Sequence, residues 1–249
     1  WMKEEAARKQ TSELAVMFDH PYKEPDCEII TINDIDVSET DTAVYVIARN
    51  SGEGADRFDE EGDYRLYPHE RGNIHLLDEV YDKLIVVLNI GGVMDLSEMR
   101  SIAGVNAILL MSQLGNLGGD ALLDVLTGKV NPSGRLADTW AYDLSTAAAY
   151  ATSGLEGVGR YTDAAASYTE YRENIYTGYY WYETADKEGF WDSNFAKERW
   201  GIKNGYKDVV QYPFGYGLSY TTFDWKINKC NLNDGATITK DGKIELEVT

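Results

Sequence analysis

The stretch Thr42-Ala-Val-Tyr-Val-Ile-Ala-Arg49, followed by Asn50-Ser-Gly-Glu-Gly-Ala-Asp-Arg57, decides the fold of this chain. A short run of β-branched and aromatic residues that ends in a glycine-rich turn predicts a buried strand leading into an exposed loop. Gly52 and Gly54 flank Glu53, so the backbone can turn tightly there and another molecule can approach the carboxylate. Open α/β sheets bind ligands at the carboxyl ends of their strands. Glu53 is therefore a candidate functional residue, and a solvated loop glutamate is the alternative.

Apolar runs and helical segments alternate along the next part of the chain. Residues 83–89 and 107–111 are predicted to form further buried strands of a parallel sheet. Helices are predicted around residues 71–82, over 93–100 and over 120–126, with Thr127-Gly128 ending the last. This order predicts an α/β sandwich, in which helices flank a mostly parallel sheet.

The chain divides into three segments. Residues 1–41 are predicted to form an amphipathic helix over 1–18 and then an acidic, irregular linker that contains Pro21 and Pro25. Residues 42–223 carry the α/β pattern, and residues 224–249 alternate like strands but are too few for a complete β-sandwich.

The second half of the α/β segment differs in composition from the first. Residues 141–170 are rich in Ala, Ser, Thr and Gly and are predicted to be a long surface loop. Residues 171–200 are rich in aromatic side chains, and residues 212–223 form a glycine-punctuated aromatic segment that closes the domain. Exposed aromatics suit ring-shaped ligands such as sugars, while tyrosines that only pack at the surface are the equal alternative.

Charge and composition exclude several functions. The chain has 249 residues and a formal net charge of −19, with 42 acidic and 23 basic side chains, which argues against nucleic-acid and anionic-membrane partners. A neutral substrate is compatible with this charge. Cys27 and Cys230 match no metal-ligand spacing and are expected to be free thiols. No membrane-spanning run and no signal-peptide core occur, so we expect a cytoplasmic protein.

Several familiar catalytic motifs are incomplete. Val130 follows Gly128-Lys129, so no phosphate-binding loop is predicted, and Gly91-Gly92 is only a fragment of a dinucleotide fingerprint. The three histidines, His20, His69 and His75, have no metal-ligand spacing. No nucleophile elbow surrounds Ser51, which leaves it as a turn residue. No cofactor and no metal are expected.

Five ordered blocks resemble the second domain of family 3 glycoside hydrolases, and the closest resemblance is to bacterial β-glucosidases. The first block is Ser51-Gly-Glu-Gly-Ala-Asp-Arg57, and Leu84-Ile-Val-Val-Leu-Asn-Ile-Gly-Gly92 follows. The third runs from Gly118 to Trp140 and contains Asn131-Pro-Ser-Gly-Arg-Leu. The last two are Asn174-Ile-Tyr-Thr-Gly-Tyr179 and Tyr212-Pro-Phe-Gly-Tyr-Gly-Leu-Ser-Tyr-Thr-Thr-Phe223.

The resemblance implies a divided active site. In that family a (β/α)8 barrel carries the nucleophilic aspartate, and an α/β sandwich leans over the barrel and supplies the general acid/base. The matching position here is Glu53, and Asp56 and Arg57 would hold its loop. The resemblance also implies that residues 224–249 begin a fibronectin type III-like domain. The acid/base must remain protonated near neutral pH, which requires burial or a nearby negative charge.

Two departures from the family pattern limit the resemblance. Leu117 stands where relatives commonly have an acidic residue, within Ser112-Gln-Leu-Gly-Asn-Leu-Gly-Gly119. No stretch resembles the barrel, which would lie elsewhere on the same gene product, before or after this segment, or on a partner chain.

Three functional hypotheses follow from the sequence. The first is the acid/base domain of a retaining β-glucosidase, whose isolated chain would be inactive. The second is a non-catalytic carbohydrate-binding or scaffolding module, because a fold alone does not guarantee an activity. The third is an independent small-molecule-binding α/β domain. The aromatics of residues 171–200 would shape the aglycone side of an active site or pack against the barrel.

Overall fold

A computed structural model describes residues 29–37, 39–49, 59–149 and 173–249. The predicted amino-terminal helix over residues 1–18 lies outside the described residues. The linker residues that are described contain one short 3-10 helix, Ile32–Asp34, and are otherwise irregular, as predicted.

A three-stranded parallel sheet organises the first half of the protein. Its strands are β1 (Thr42–Arg49), β2 (Lys83–Ile90) and β3 (Val105–Leu110), in the order β1-β2-β3. The register pairs Thr42 with Lys83 and Arg49 with Ile90, so β1 and β2 end at the same edge. The predicted parallel sheet is confirmed.

Three helices belong to this half of the chain. They are α1 (Pro68–Val80), α2 (Ser97–Ser101) and α3 (Gly118–Leu126). Pro68 suits the first turn of α1, where a backbone N–H is not needed. Gly128, with a φ of 73°, follows the end of α3, as predicted for a glycine after a helix terminus.

The prediction of a helix over residues 93–100 is wrong at its beginning, since α2 starts only at Ser97. Tertiary contacts explain the difference. Met94 and Leu96 are buried in the core, and the Asp95 N–H donates to the Tyr64 carbonyl at 2.8 Å. These contacts keep residues 93–96 out of the helix that propensity alone favours.

One face of the sheet forms the main hydrophobic core. Alternate residues of β1, among them Tyr45 and Ile47, pack with Leu84, Val86 and other β2 side chains against α1 and α2. The prediction that residues 107–111 are a buried strand is wrong in its burial: Asn106 and Ala107 are exposed and the rest of β3 is half-buried. Among the described strands β3 has a neighbour on one side only, which leaves its outer edge uncovered.

A second core gathers the aromatic-rich part of the chain. It is built by α4 (Tyr179–Lys187), the 3-10 helix Phe190–Asp192, α5 (Asn194–Trp200) and α6 (Tyr206–Val209). Trp191 is fully buried at its centre, with ring centroids 5.0 Å from Phe190 and 5.9 Å from Trp200. Most of the indole and phenyl rings here pack against one another.

A two-stranded antiparallel sheet joins the two cores. It consists of β4 (Trp140–Ala141) and β5 (Val210–Tyr212). The prediction that residues 141–170 are a surface loop is wrong for part of the described portion, residues 141–149. Thr146 and Ala148 are buried there, and the Thr146 carbonyl accepts a 2.9 Å hydrogen bond from the Trp181 indole.

The segment 212–223 runs back along residues 131–136. The Leu136 N–H donates to the Tyr216 carbonyl at 2.9 Å, and the Asn131 side chain bonds Ser219, Tyr220 and Thr221. A β-carbon at Gly217 would collide with the Gly134 carbonyl, so this close approach requires glycine. These contacts hold the segment against residues 131–136, and its role as the closure of the domain stays a prediction.

The last residues form an antiparallel pair, β6 (Ile227–Cys230) and β7 (Leu246–Val248), in which every residue is exposed. Its likeness to a fibronectin type III domain stays a prediction. Cys230 is an exposed free thiol. Within the described ranges, no helix combines the length and the apolar composition needed to cross a membrane.

Removing the central indole of the second core tests the packing. Trp191 is fully buried whereas Trp225 is 78% exposed, which makes them a matched pair. We expect Trp191→Ala to lower the free energy of unfolding by about 3–5 kcal/mol because it leaves a large cavity. Trp225→Ala should change it by less than about 0.5 kcal/mol. Urea unfolding followed by circular dichroism measures both; equal losses would contradict the assigned burial.

Candidate functional site

The candidate catalytic residues Glu53, Asp56 and Arg57 lie in residues 50–58, outside the described residues. Their positions are therefore untested. The structure does describe both flanks of that segment. Arg49, its predecessor, is the last residue of β1, and Asp59 is the first described residue after it.

A buried ion pair marks the end of β1. The Arg49 guanidinium bonds both carboxylate oxygens of Glu70, at 2.7 Å and 2.6 Å. The side chains of Arg49 and Glu70 are only 4% and 6% exposed. Glu70 lies in the first turn of α1 and also accepts the Tyr67 N–H at 2.8 Å. The charged groups are thus almost fully removed from water but well supplied with partners.

The same guanidinium reaches the chain beyond the candidate loop. It donates to the Asp63 carbonyl at 3.1 Å and to the Arg65 carbonyl at 3.3 Å. These carbonyls belong to a tight turn over residues 60–65, in which the Arg65 N–H donates to the Glu60 carbonyl at 3.0 Å. One side chain therefore connects the strand before residues 50–58 with the turn after them.

A second arginine, Arg65, holds Asp59, the first described residue after residues 50–58. Arg65 bonds both carboxylate oxygens of Asp59, at 2.5 Å and 2.9 Å. Its guanidinium also lies 3.5 Å from the Asp95 carboxylate. The hydrogen bond that Arg65 donates to Asp59 raises the pKa of the guanidinium further above its ordinary value, so Arg65 stays charged. The pair is partly exposed, so its contribution to the free energy of folding is small.

The three parallel strands are tied together at this edge. Gln113, which follows β3, donates from its amide to the Arg49 carbonyl at 3.5 Å. A β-carbon on Gly91, which follows β2, would lie 2.6 Å from the Gln113 side-chain oxygen, so glycine leaves the space that this side chain uses. Ser112 has a φ of 56°, a left-handed conformation that is uncommon outside glycine. Such conformations cluster at functional sites.

The chain after β2 is held by a buried glutamine. The Gln211 side chain accepts the Leu96 N–H at 2.8 Å and donates to the Ala141 carbonyl, and it is 6% exposed. The Tyr64 hydroxyl donates to the same carbonyl. Burial, with the nearby Asp95 charge, raises the pKa of Tyr64 far above its ordinary value, so Tyr64 stays a neutral donor.

The aromatic residues fall into two groups. Burial raises the pKa of Tyr182, in the second core, to about 12. A smaller group is partly exposed: the half-buried Tyr179 stacks on the exposed Phe214 with ring centroids 4.1 Å apart, beside the exposed Tyr180. The hypothesis that all the aromatics of residues 171–200 face a sugar or a barrel is wrong for the buried ones, because they pack against one another.

Sequence reasoning did not find the anchoring residues of the site. The sequence pattern predicts Arg49 only as the last residue of a strand, and no motif singles out Glu70. The available signal was a charged residue at the buried position of an alternating strand, since its neighbours Tyr45 and Ile47 face the core. Within the described ranges no group of three or more His, Cys, Asp or Glu side chains is arranged to bind a metal ion.

Comparison with known proteins identifies the family of the α/β segment. A family model described as glycosyl hydrolase family 3 C-terminal domain matches residues 28–220. β-Glucosidase A of Butyrivibrio fibrisolvens is 35% identical over 206 residues, which covers 74% of this chain and 21% of that protein.

Solved structures give the same result. A β-glucosidase of Paenibacillus barengoltzii superposes with a TM-score of 0.63 at 32% identity, over 84% of this chain and 19% of that one. β-Glucosidase 3B of Thermotoga neapolitana, in complex with α-D-glucose, gives a TM-score of 0.63 at 29% identity, over 98% and 31%. This chain spans about a fifth of the length of the curated relatives it matches.

Two glutamines provide a test of the contacts around β2. Gln211→Leu leaves the buried Leu96 N–H without its partner, and we expect the free energy of unfolding to fall by about 1–3 kcal/mol. Gln113→Leu is the matched comparison: it removes one long hydrogen bond at an exposed side chain, so it should lower the free energy of unfolding by only about 0.5 kcal/mol. Urea unfolding measures both, and an unaffected Gln211 variant would refute the assigned role.

Proposed function

This chain belongs to the glycosyl hydrolase family 3 C-terminal domain family, and on that basis we propose that it supplies the general acid/base of a retaining β-glucosidase. The relatives described above are β-glucosidases, which supports a glycoside hydrolase. Glu53 is the proposed acid/base, and Asp56 and Arg57 are proposed to hold its loop. The nucleophilic aspartate would lie on a (β/α)8 barrel outside this chain, on the same polypeptide or on a partner chain.

The observation that carries the proposal is the anchoring on both sides of residues 50–58. The buried Arg49–Glu70 pair holds the preceding strand end, and the Arg65–Asp59 pair holds the following residue. Both lie where the strands of the parallel sheet end, which is where open α/β sheets bind ligands. A carboxyl group that must lie close to a second carboxyl group on another domain needs a loop whose two ends are held in fixed positions.

The proposed reaction requires two carboxyl groups at a defined separation. In a retaining glycosidase one carboxylate attacks the anomeric carbon while the other protonates the leaving oxygen, and the two are about 5–5.5 Å apart. Glu53 would then accept a proton from the water that hydrolyses the glycosyl-enzyme intermediate. The proposed substrates are β-D-glucosyl residues at the non-reducing ends of oligosaccharides or glucosides. These are neutral, and therefore compatible with the net charge of −19.

Other parts of the proposal concern the whole protein. We propose that the isolated chain is inactive, because it would contribute one carboxyl group of the two. A cytoplasmic location and a fibronectin type III-like continuation after residue 223 are proposed as well.

The second candidate function is a non-catalytic carbohydrate-binding or scaffolding module. The partly exposed Tyr179–Phe214 stack favours it, since aromatic faces pack against sugar rings. A binding module of this kind would show no turnover with any substitution at Glu53. Turnover that depends on Glu53 separates the two candidates.

Glu53→Gln in the full-length product of the gene tests the acid/base role. We expect kcat/KM for glucosides with poor leaving groups to fall about 10²–10⁴-fold, the usual contribution of general acid catalysis. Glucosides with activated aryl leaving groups should lose much less, because their leaving group departs without protonation. Steady-state kinetics on both substrate types gives the answer.

The matched control is Glu79→Gln, which removes an exposed carboxylate near the last turn of α1. We expect it to leave both values of kcat/KM within about twofold of the wild type, as for a surface substitution away from the site. An equal loss of activity on both substrate types in the Glu53 variant would contradict the acid/base role.

The subunit composition tests the requirement for a barrel. We expect the native protein to be larger than the 27.9 kDa of this chain, or to co-purify with a second chain, when it hydrolyses an aryl glucoside. Intact mass spectrometry together with the assay checks this. Full activity from the lone chain would rule out the divided active site.

A further inference from the structure

The burial of the Arg49–Glu70 ion pair is not explained by the stability of the fold alone. Its two side chains are 4% and 6% exposed, so both charges have lost most of their contact with water. Because that loss is costly, a buried ion pair is weak evidence for stability, and apolar side chains of similar volume often serve as well. What a bidentate pair does supply is a defined geometry.

The Arg49 side chain fixes the relative positions of the end of β1, the turn over residues 60–65 and the start of α1. The Arg49 guanidinium bonds Glu70 at the start of α1 and the carbonyls of Asp63 and Arg65 in the turn that follows residues 50–58. Its own backbone ends β1. Strand, turn and helix thus meet at one planar group whose donors have fixed directions.

A neighbouring ion pair on the same helix shows what a surface contact looks like. Arg71, one residue after Glu70, bonds Glu98 at 2.5 Å, but the two side chains are 36% and 49% exposed. Among the described residues, the hydrogen bond of this pair links α1 to α2. The two pairs have the same chemistry and differ in burial and in what they connect.

We infer that Arg49 and Glu70 are positioning residues for the acid/base: together they set the separation and direction of the two chain ends between which residues 50–58 run. The inference rests on the proposed function of Glu53. Neither residue transfers a proton or contacts the substrate. They act through the backbone at Arg49 and at residues 63–65, which are held by the one guanidinium.

A positioning role has a characteristic consequence. Protonation of a poor leaving group depends on where the acid lies, and a displacement of about 1 Å can lower the rate 10²-fold. Attack on the anomeric carbon by the barrel nucleophile does not use this loop. Disturbing Arg49 or Glu70 should therefore impair substrates that need the acid and spare those with activated aryl leaving groups.

The test uses Arg49→Lys and Glu70→Gln in the full-length product of the gene, with Arg71→Lys and Glu98→Gln as matched controls. Lysine keeps the charge but cannot bridge two carboxylate oxygens and two carbonyls with fixed donors. We expect each of the first two variants to lower the ratio of kcat/KM for an alkyl glucoside to kcat/KM for an activated aryl glucoside by about 10- to 100-fold. The controls should keep that ratio within about twofold.

The ratio separates positioning from stability. Partial unfolding lowers kcat/KM for both substrates by the same factor. The ratio of the two values therefore reports on the folded enzyme only, whatever fraction of the protein is folded. Arg49→Lys keeps the buried charge and serves if Glu70→Gln folds poorly. If both variants keep the ratio of the controls, the inference is overturned.

Glu53→Gln measured alongside distinguishes this failure from failure of the proposed function. If Glu53→Gln lowers the ratio and the Arg49 and Glu70 variants do not, only the positioning role is wrong. If Glu53→Gln leaves the ratio unchanged, the acid/base assignment itself fails, and the positioning role fails with it.

Discussion

The buried bond between Arg49 and Glu70 is the contact on which the arrangement around β1 depends. Removing one partner of such a pair typically costs about 3–5 kcal/mol, because the remaining charge is left buried without compensation. Here the loss would extend further, since the same guanidinium also satisfies the carbonyls of Asp63 and Arg65. The turn over residues 60–65 and the first turn of α1 therefore hold their positions relative to β1 through one side chain.

The sequence predicts the parts of the fold that depend on local pattern. The strand over residues 42–49 has its predicted bounds, and the parallel order of β1, β2 and β3 follows from the alternation of strands and helices. Prediction from the sequence is wrong where long-range packing competes with local helix or strand propensity. Met94 and Leu96 are drawn into the core and prevent the helix that residues 93–96 would otherwise begin, and the half-exposed surface of β3 follows from its place in the sheet.

The candidate site divides in the same way. The glycines around Glu53 and the resemblance to family 3 glycoside hydrolases can be seen in the sequence, so the proposed acid/base is predicted from the sequence alone. Its support cannot be seen, because Arg49 and Glu70 are 21 positions apart and neither residue type is usually buried. Only the tertiary register, which places the end of β1 beside the start of α1, brings the two side chains together.

A divided active site makes strict demands on the domain that carries one half of it. Two carboxyl groups must lie about 5–5.5 Å apart although they would belong to different domains, so errors in loop position add to errors in domain position. Functional groups generally need placement within about 0.5 Å, which is achieved when rigid elements support them. A parallel sheet with clamped strand ends meets that need, and this explains why a costly ion pair would be kept at the end of β1 when an apolar contact would be enough for folding.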